Sequence, residues 1–255
     1  MTSRARVGAN LATLANGVLG IGAILYVLAG NPYWAMLLIV SGIAFDGLDG
    51  LLSRRAKSPS GSFGRIADSI ADAVTFGLAP ASLLIVHTVN SSAWSPYYPW
   101  TLIVGVLVAV LAIARLIYFT WRGHQLPYFL GAPTPQTALA IIVILLLGDA
   151  PGFWGTLPVF VLIATLVVTL LMVLPIRFPK VRRGSPIRWA MTLTAIALVI
   201  AIIPIQFFPR PGSPLYLLAE VATLASGAGV AVYYLWGPLT VRSSVPPREE
   251  VAAHV

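Results

Sequence analysis

An all-α, polytopic helical membrane protein is the fold class this sequence predicts, on three observations. Of its 255 residues, 58% are hydrophobic and only 9% charged, against about 25% charged in soluble domains; the mean hydropathy is +0.89. Apolar runs of about 20 residues, the length that crosses about 30 Å of hydrocarbon, recur almost from end to end. The basic residues fall on alternate connections between those runs. Length alone allows one or two domains, but the runs leave no break. Residues 1–240 therefore read as a single membrane-embedded domain, and 241–255 as a loose, polar, proline-containing tail. The absence of cysteine excludes disulfides, zinc-thiolate sites and cysteine nucleophiles. A net charge of +8 in a membrane protein reflects cytoplasmic loops facing anionic lipid, so membrane lipids and no nucleic acid are the expected partners.

The opening MTSRARVGANLATLANG is basic and then apolar, like a signal peptide. The stretch after it is long enough to span and shows no small-residue cleavage pattern, so it reads as the first helix. About eight transmembrane helices (six to eight) follow from the runs near 9–30, 33–53, 65–88, 99–121, 134–149, 154–175, 187–208 and 214–237. The fifth is short enough to be tilted, broken or partly interfacial. Pro and Gly punctuate the connections at 30-GNP, 131-GAPTP, 150-APG, 174-LP and 209-PRPG. With Arg4 and Arg6 in the cytoplasm, that side also receives Arg54, Arg55, Lys57, Arg65, Arg122, the five basic residues between Arg177 and Arg188, Arg242 and Arg248. The other side receives Arg210, and Arg115 falls within the fourth span. Both termini are therefore expected in the cytoplasm, with an even number of crossings.

Four of the eight acidic residues crowd into 45-FDGLDGLLSRRAKSPSGSFGRIADSIADAVTFG-77. Asp46 and Asp49 share one face of the second span, and Asp68 and Asp72 share one face of the third. A hairpin through the polar loop 54-RRAKSPSGSFG-64 can aim both pairs at one another. Each membrane-embedded carboxylate costs about 2.5–3.5 kcal/mol even on the lenient insertion scale, and four that repel one another need protons or cations to neutralise them. Oxygen-only donors favour a hard cation such as Mg²⁺ or Mn²⁺, and four carboxylates suffice for two such ions, the arrangement that clamps a transferring phosphoryl group. Solvated acids paired with nearby arginines, or a cation or proton transporter using the aspartates as a relay, remain alternatives. Neither accounts for Gly50, directly after Asp49, or Gly64, one turn before Asp68, where a ligand can approach the backbone. Arg54, one turn beyond Gly50, offers a planar fork for phosphate oxygens.

These residues resemble the CDP-alcohol phosphatidyltransferase family, whose pattern is D-x2-D-G-x2-A-R-x8/9-G-x3-D-x3-D. Asp46, Asp49, Gly50, Arg54, Gly64, Asp68 and Asp72 fall at its spacings, and Ser53 replaces the usual Ala. The resemblance implies that Asp46, Asp49, Asp68 and Asp72 bind divalent ions, Mg²⁺ or Mn²⁺ and two in number. It implies that Asp72 is also the general base, and that Gly50, Arg54 and Gly64 meet the CDP part of the lipid donor. Asn10 and Thr13 match an Asn/Asp-x2-Thr that contacts the nucleotide. The hydroxyl residue expected three positions before the second glycine is replaced by Gly61, flanked by Ser60 and Ser62, either of which can substitute. The implied donor is CDP-diacylglycerol or CDP-archaeol, the implied product CMP, and relatives of this kind are often homodimers.

The run 68-DSIADAVTFGLAP-80 is similar to the serine-using branch of that family, as are 129-FLGAPTPQTALA, 171-LMVLPIRFPK and 10-NLATLANGVLG. L-serine is therefore the expected small alcohol acceptor. The branch's R-L-A-R-F-N appears here as 115-RLIYFT, which keeps Arg115 but has Tyr118 and Thr120 in place of the second Arg and the Asn. With the dense basic cluster Arg177–Arg188, that departure keeps inositol phosphate or glycerol phosphate as the alternative acceptor. Arg115 reads either as an ion-pair partner of an aspartate or a snorkelling side chain, or as the group that captures the acceptor's carboxylate or phosphate. His87 reads as a structural or interfacial residue on the far side, His124 as a loop residue, and 94-WSPYYPW-100 as an interface belt. The last two spans carry no usable motif.

Overall fold

The computed structural model describes residues 2–55, 62–89, 92–123, 128–149, 158–179, 186–208 and 212–242. Helix α1 (Thr2–Leu28) and α2 (Pro32–Arg55) form the first hairpin. Helix α3 (Ser62–Asp72) passes through a π-helical segment (Ala73–Leu78) into α4 (Ala79–Val89) as one continuous rod. Helix α5 (Tyr98–Tyr118), preceded by a short 3₁₀ turn and followed by a second π segment (Phe119–Gly123), leads to strand β1 (Tyr128–Leu130) and α6 (Thr134–Asp149). Helix α7 (Pro158–Leu170), strand β2 (Arg177–Pro179), α8 (Pro186–Phe207) and α9 (Pro214–Arg242) complete the described chain. Among the described residues, six helical stretches are long and apolar enough to cross a membrane: Val7–Leu28, Pro32–Leu52, Gly64–Val89, Trp94–Trp121, Trp189–Phe207 and Pro214–Val241. The protein is an integral, polytopic helical membrane protein.

The outer helices carry apolar residues on both faces, as lipid on one side and protein on the other require. On α1, Leu11, Leu14, Val18, Ile21 and Leu25 form an exposed stripe, while Ala12, Asn16, Ala23 and Val27 are buried. Lipid is as apolar as leucine, so packing between helices relies on close approach of small residues. Ala23, Ala35, Ala79, Ala112, Ala201 and Ala219, from six different helices, are each fully buried. The short fifth span is one unbroken helix. Helix α6 lies at the centre, with every residue from Thr137 to Leu146 buried, and packs on α2, α4, α5, α7 and α9. A helix wrapped by protein need not match the hydrocarbon thickness.

Helix α7 ends at Leu170, short of the expected limit near 175, because Pro175 follows and disfavours helical backbone at Leu174. The freed segment turns back against the chain before α6. Gly131 N–H donates to Ile176 O at 2.9 Å and Ala132 N–H to Leu171 O at 2.8 Å. Next to these bonds β1 and β2 pair antiparallel, with Phe129 opposite Phe178. Helix α9 runs to Arg242, two residues into the expected tail; 243–255 lie outside the described residues. At the end of the bundle opposite Asp46 and Asp72, His87 Nε2 lies 2.9 Å from Asp149 Oδ1, tying the end of α4 to the end of α6, and Tyr33 at the start of α2 bonds to the same carboxylate. His87 is thus structural.

Gly131 has φ +74°, and a Cβ there would overlap the Met172 carbonyl. Gly131→Ala should therefore destabilise the fold by at least about 1–3 kcal/mol, read as a lowered thermal midpoint of the detergent-solubilised protein.

Candidate active site

The site is built at one end of the bundle, where α1 packs on α2, on α3 and on its π segment, and α2 meets that π segment. Asp46 and Asp49 come from the second half of α2, and Asp68 and Asp72 from α3. Carboxylate oxygens of Asp46, Asp68 and Asp72 all lie within 4.8 Å of one another. Asp72 is buried and the other two are partly accessible. Asp49, also buried, stands beside this trio: it accepts a hydrogen bond from Thr13 Oγ1 on α1 and lies within hydrogen-bonding reach of Asp68. The two pairs face one another across the hairpin.

Helix α1 supplies a second polar contact that the sequence reading did not single out. Asn16, fully buried, donates from Nδ2 to Asp72 Oδ1 at 2.9 Å. Its backbone carbonyl oxygen accepts from Thr75 Oγ1 at 2.8 Å. Thr75 belongs to the π segment immediately after Asp72, and such segments often sit at functional sites. The wider turn brings Thr75 against α1 while Asp68 and Asp72 keep facing α2. Gly42 on α2 makes room: a Cβ there would lie 2.6 Å from Thr75 Cγ2 and 2.9 Å from Asn16 Oδ1. The available signal was Asn16 itself, an amide inside an apolar span, three residues beyond Thr13 as Thr13 is three beyond Asn10; such residues face the bundle interior.

Asn10 is exposed on α1, outside this hydrogen-bonded group; Gly50 and Gly64 are partly accessible on α2 and α3. Arg54 lies in the last turn of α2 and Ser62 opens α3, but their side chains, like all of Ser60, lie outside the described residues. Arg115 is buried, which corrects the snorkelling alternative. Among the described residues it makes no ion pair with an aspartate. Its guanidinium lies 5.7 Å from the Phe119 ring centre and 5.9 Å from that of Phe129, and NH1 donates to Thr134 Oγ1 at the start of α6 over 3.4 Å. Arg115 and Asp72 are near enough for their charges to act on each other. Thr120, at the position of the Asn in R-L-A-R-F-N, hydrogen-bonds Ser69 on α3 and so fastens the end of α5 beside the acids.

Three converging carboxylates suit a hard divalent cation, which would relieve their crowding in a partly desolvated setting. Manganese, used as a paramagnetic probe, should bind the purified protein, and Asp68→Asn should weaken that binding at least about tenfold in an electron paramagnetic resonance titration.

Comparison with known proteins follows the same line. The family model described as CDP-alcohol phosphatidyltransferase matches residues 6–233. A CDP-diacylglycerol–serine O-phosphatidyltransferase of Bacillus subtilis is 29% identical over 177 residues, 68% of this chain and 90% of its own. One from Mycobacterium bovis is 32% identical over 213 residues, 78% of this chain and 72% of its own. An archaetidylserine synthase of Methanothermobacter thermautotrophicus is 30% identical over 174 residues, covering 68% and 69%. A membrane bundle that gathers acids from two adjacent helices, matched along nearly its whole helical length, makes this chain an enzyme of phospholipid synthesis belonging to the CDP-alcohol phosphatidyltransferase family.

Proposed function

We propose that the enzyme transfers a phosphatidyl or archaetidyl group from CDP-diacylglycerol or CDP-archaeol to the hydroxyl of L-serine, releasing CMP at the cytoplasmic face of the cytoplasmic membrane. The observation that carries the serine reading is Arg115: one buried guanidinium, flanked by aromatic rings and neutral hydroxyls, within electrostatic reach of Asp72. A single cation in such surroundings matches the single carboxylate of an amino acid. Inositol phosphate or glycerol phosphate brings up to two negative charges, and among the described residues no second basic side chain is buried. The names of the relatives above point the same way. The basic residues gathered on one side of the spans support the orientation.

Asp46, Asp49, Asp68 and Asp72 are the residues that would hold Mg²⁺ or Mn²⁺, two ions in this reading, which supply charge neutralisation at the donor's pyrophosphate. Asn10, Thr13, Gly50, Arg54, Ser60, Ser62 and Gly64 are assigned to the CDP portion. Asp72 acts as general base. Asn16 fixes its Oδ1, leaving Oδ2 to take the proton from the serine hydroxyl. The serine oxygen then bonds to the lipid-side phosphorus, the bond from that phosphorus to the bridging oxygen breaks, and CMP departs with the electron pair. Burial of Asp72 keeps competing water from the base.

Purified protein with CDP-diacylglycerol and Mn²⁺ or Mg²⁺ should release CMP with L-serine and not with inositol phosphate or glycerol phosphate; release with a phosphorylated acceptor alone would overturn the serine assignment. Asp72→Asn should lower turnover at least about 100-fold while CDP-lipid binding largely persists, and retained turnover would contradict the base assignment.

A further inference from the structure

Among the described residues, two buried polar groups at the end of the bundle that carries the acids have no hydrogen-bond partner. One is Arg115 Nε on α5 and the other is the hydroxyl of Tyr233 on α9. Two further buried atoms lack partners, but Asn16 Oδ1 is packed toward Gly42 and Thr165 Oγ1 lies on α7. Tyr233 is 2% exposed. Its ring stacks on Phe178 with centres 5.7 Å apart and meets Tyr234 edge-on at 5.6 Å. The Tyr234 hydroxyl is satisfied by Thr137 at 3.0 Å; that of Tyr233 is not. The charge of Arg115 acts on Tyr233 as it does on Asp72. Phe129, beside the guanidinium, pairs across the β ladder with Phe178, beside the phenol, so one aromatic wall adjoins both orphans.

We infer that Tyr233 completes the acceptor subsite: its hydroxyl donates a hydrogen bond to the carboxylate whose charge Arg115 takes up. This rests on the serine reading above. Buried polar groups in native structures almost always have partners, and one without calls for an explanation. Two such donors from different helices, within electrostatic reach of each other, are explained together by one ligand that accepts from both. A carboxylate has lone pairs enough for a guanidinium and a phenol at once. The surrounding rings exclude water, which strengthens bonds that are made and penalises those left unmade. An acceptor without a carboxylate, such as ethanolamine, leaves both groups unsatisfied and is rejected on that account. The last helix, which carries no motif of its own, thereby contributes to specificity.

Tyr233→Phe removes the hydroxyl and keeps the ring. In the full-length enzyme, the KM for L-serine should rise about tenfold or more. The kcat at saturating serine, the KM for CDP-diacylglycerol and the thermal midpoint should stay near wild type. The preference for serine over ethanolamine should fall by the same factor, and Tyr234→Phe, which loses the bond to Thr137, should leave that preference intact. If the wild-type enzyme turns over serine and Tyr233→Phe leaves its KM unchanged, the assignment of Tyr233 is overturned by itself. If the wild-type enzyme does not use serine at all, the serine reading falls and takes the carboxylate assignment with it.

Discussion

Negative charge held below the membrane surface is the constraint around which this end of the molecule is arranged. Three carboxylates within 4.8 Å of one another repel strongly where water is scarce, and a fourth stands beside them. Helix α1 answers with an uncharged donor to each deeper acid, Thr13 to Asp49 and Asn16 to Asp72. Neutral donors hold the oxygens in place without consuming the charge that a divalent ion needs. A lysine or arginine at either position would neutralise the acids permanently and compete with metal. The one buried basic side chain among the described residues, Arg115, is kept among Phe119, Phe129 and Thr134.

The rest of the bundle makes that crowding mechanically possible. With little hydrophobic drive between helices in lipid, stability comes from close packing, and the buried alanines let helix axes approach. Helix α6 serves as the common post. Its first turn meets Arg115 and Tyr234 through Thr134 and Thr137, and its last residue is anchored by His87 on the far side. Fixed at both ends, it gives α5 and α9 a shared reference.

Much of this was legible from the residues. The spans follow from hydropathy and length, which depend on local composition, and the pairing of Asp46 and Asp49 with Asp68 and Asp72 follows from helical periodicity. What escaped depends on tertiary contact. No local signal marks Ala73–Leu78 as π-helical, since the wider turn is stabilised by Thr75 reaching the backbone of α1. Asn16 resembles any small polar residue in a span until Asp72 is placed opposite it. Phe129 and Phe178 lie in segments too short to read as strands, and Tyr233 sits amid aliphatic and aromatic residues of a helix without a motif. The apolar run continues past the end of α7 through 171-LMVLP-175, whereas Pro175 and the backbone bonds to Gly131 and Ala132 decide where the helix stops.

The two-stranded ladder has an architectural corollary. Side chains alternate across a strand, so a slip of one position would turn Phe178 outward and bring Arg177 or Pro179 into its place. Register between Phe129 and Phe178 is fixed on one side by the Gly131 and Ala132 bonds, before the chain enters 180–185. Insertions or deletions in that later connection are therefore decoupled from the aromatic wall, whereas a length change within 171–179 is not.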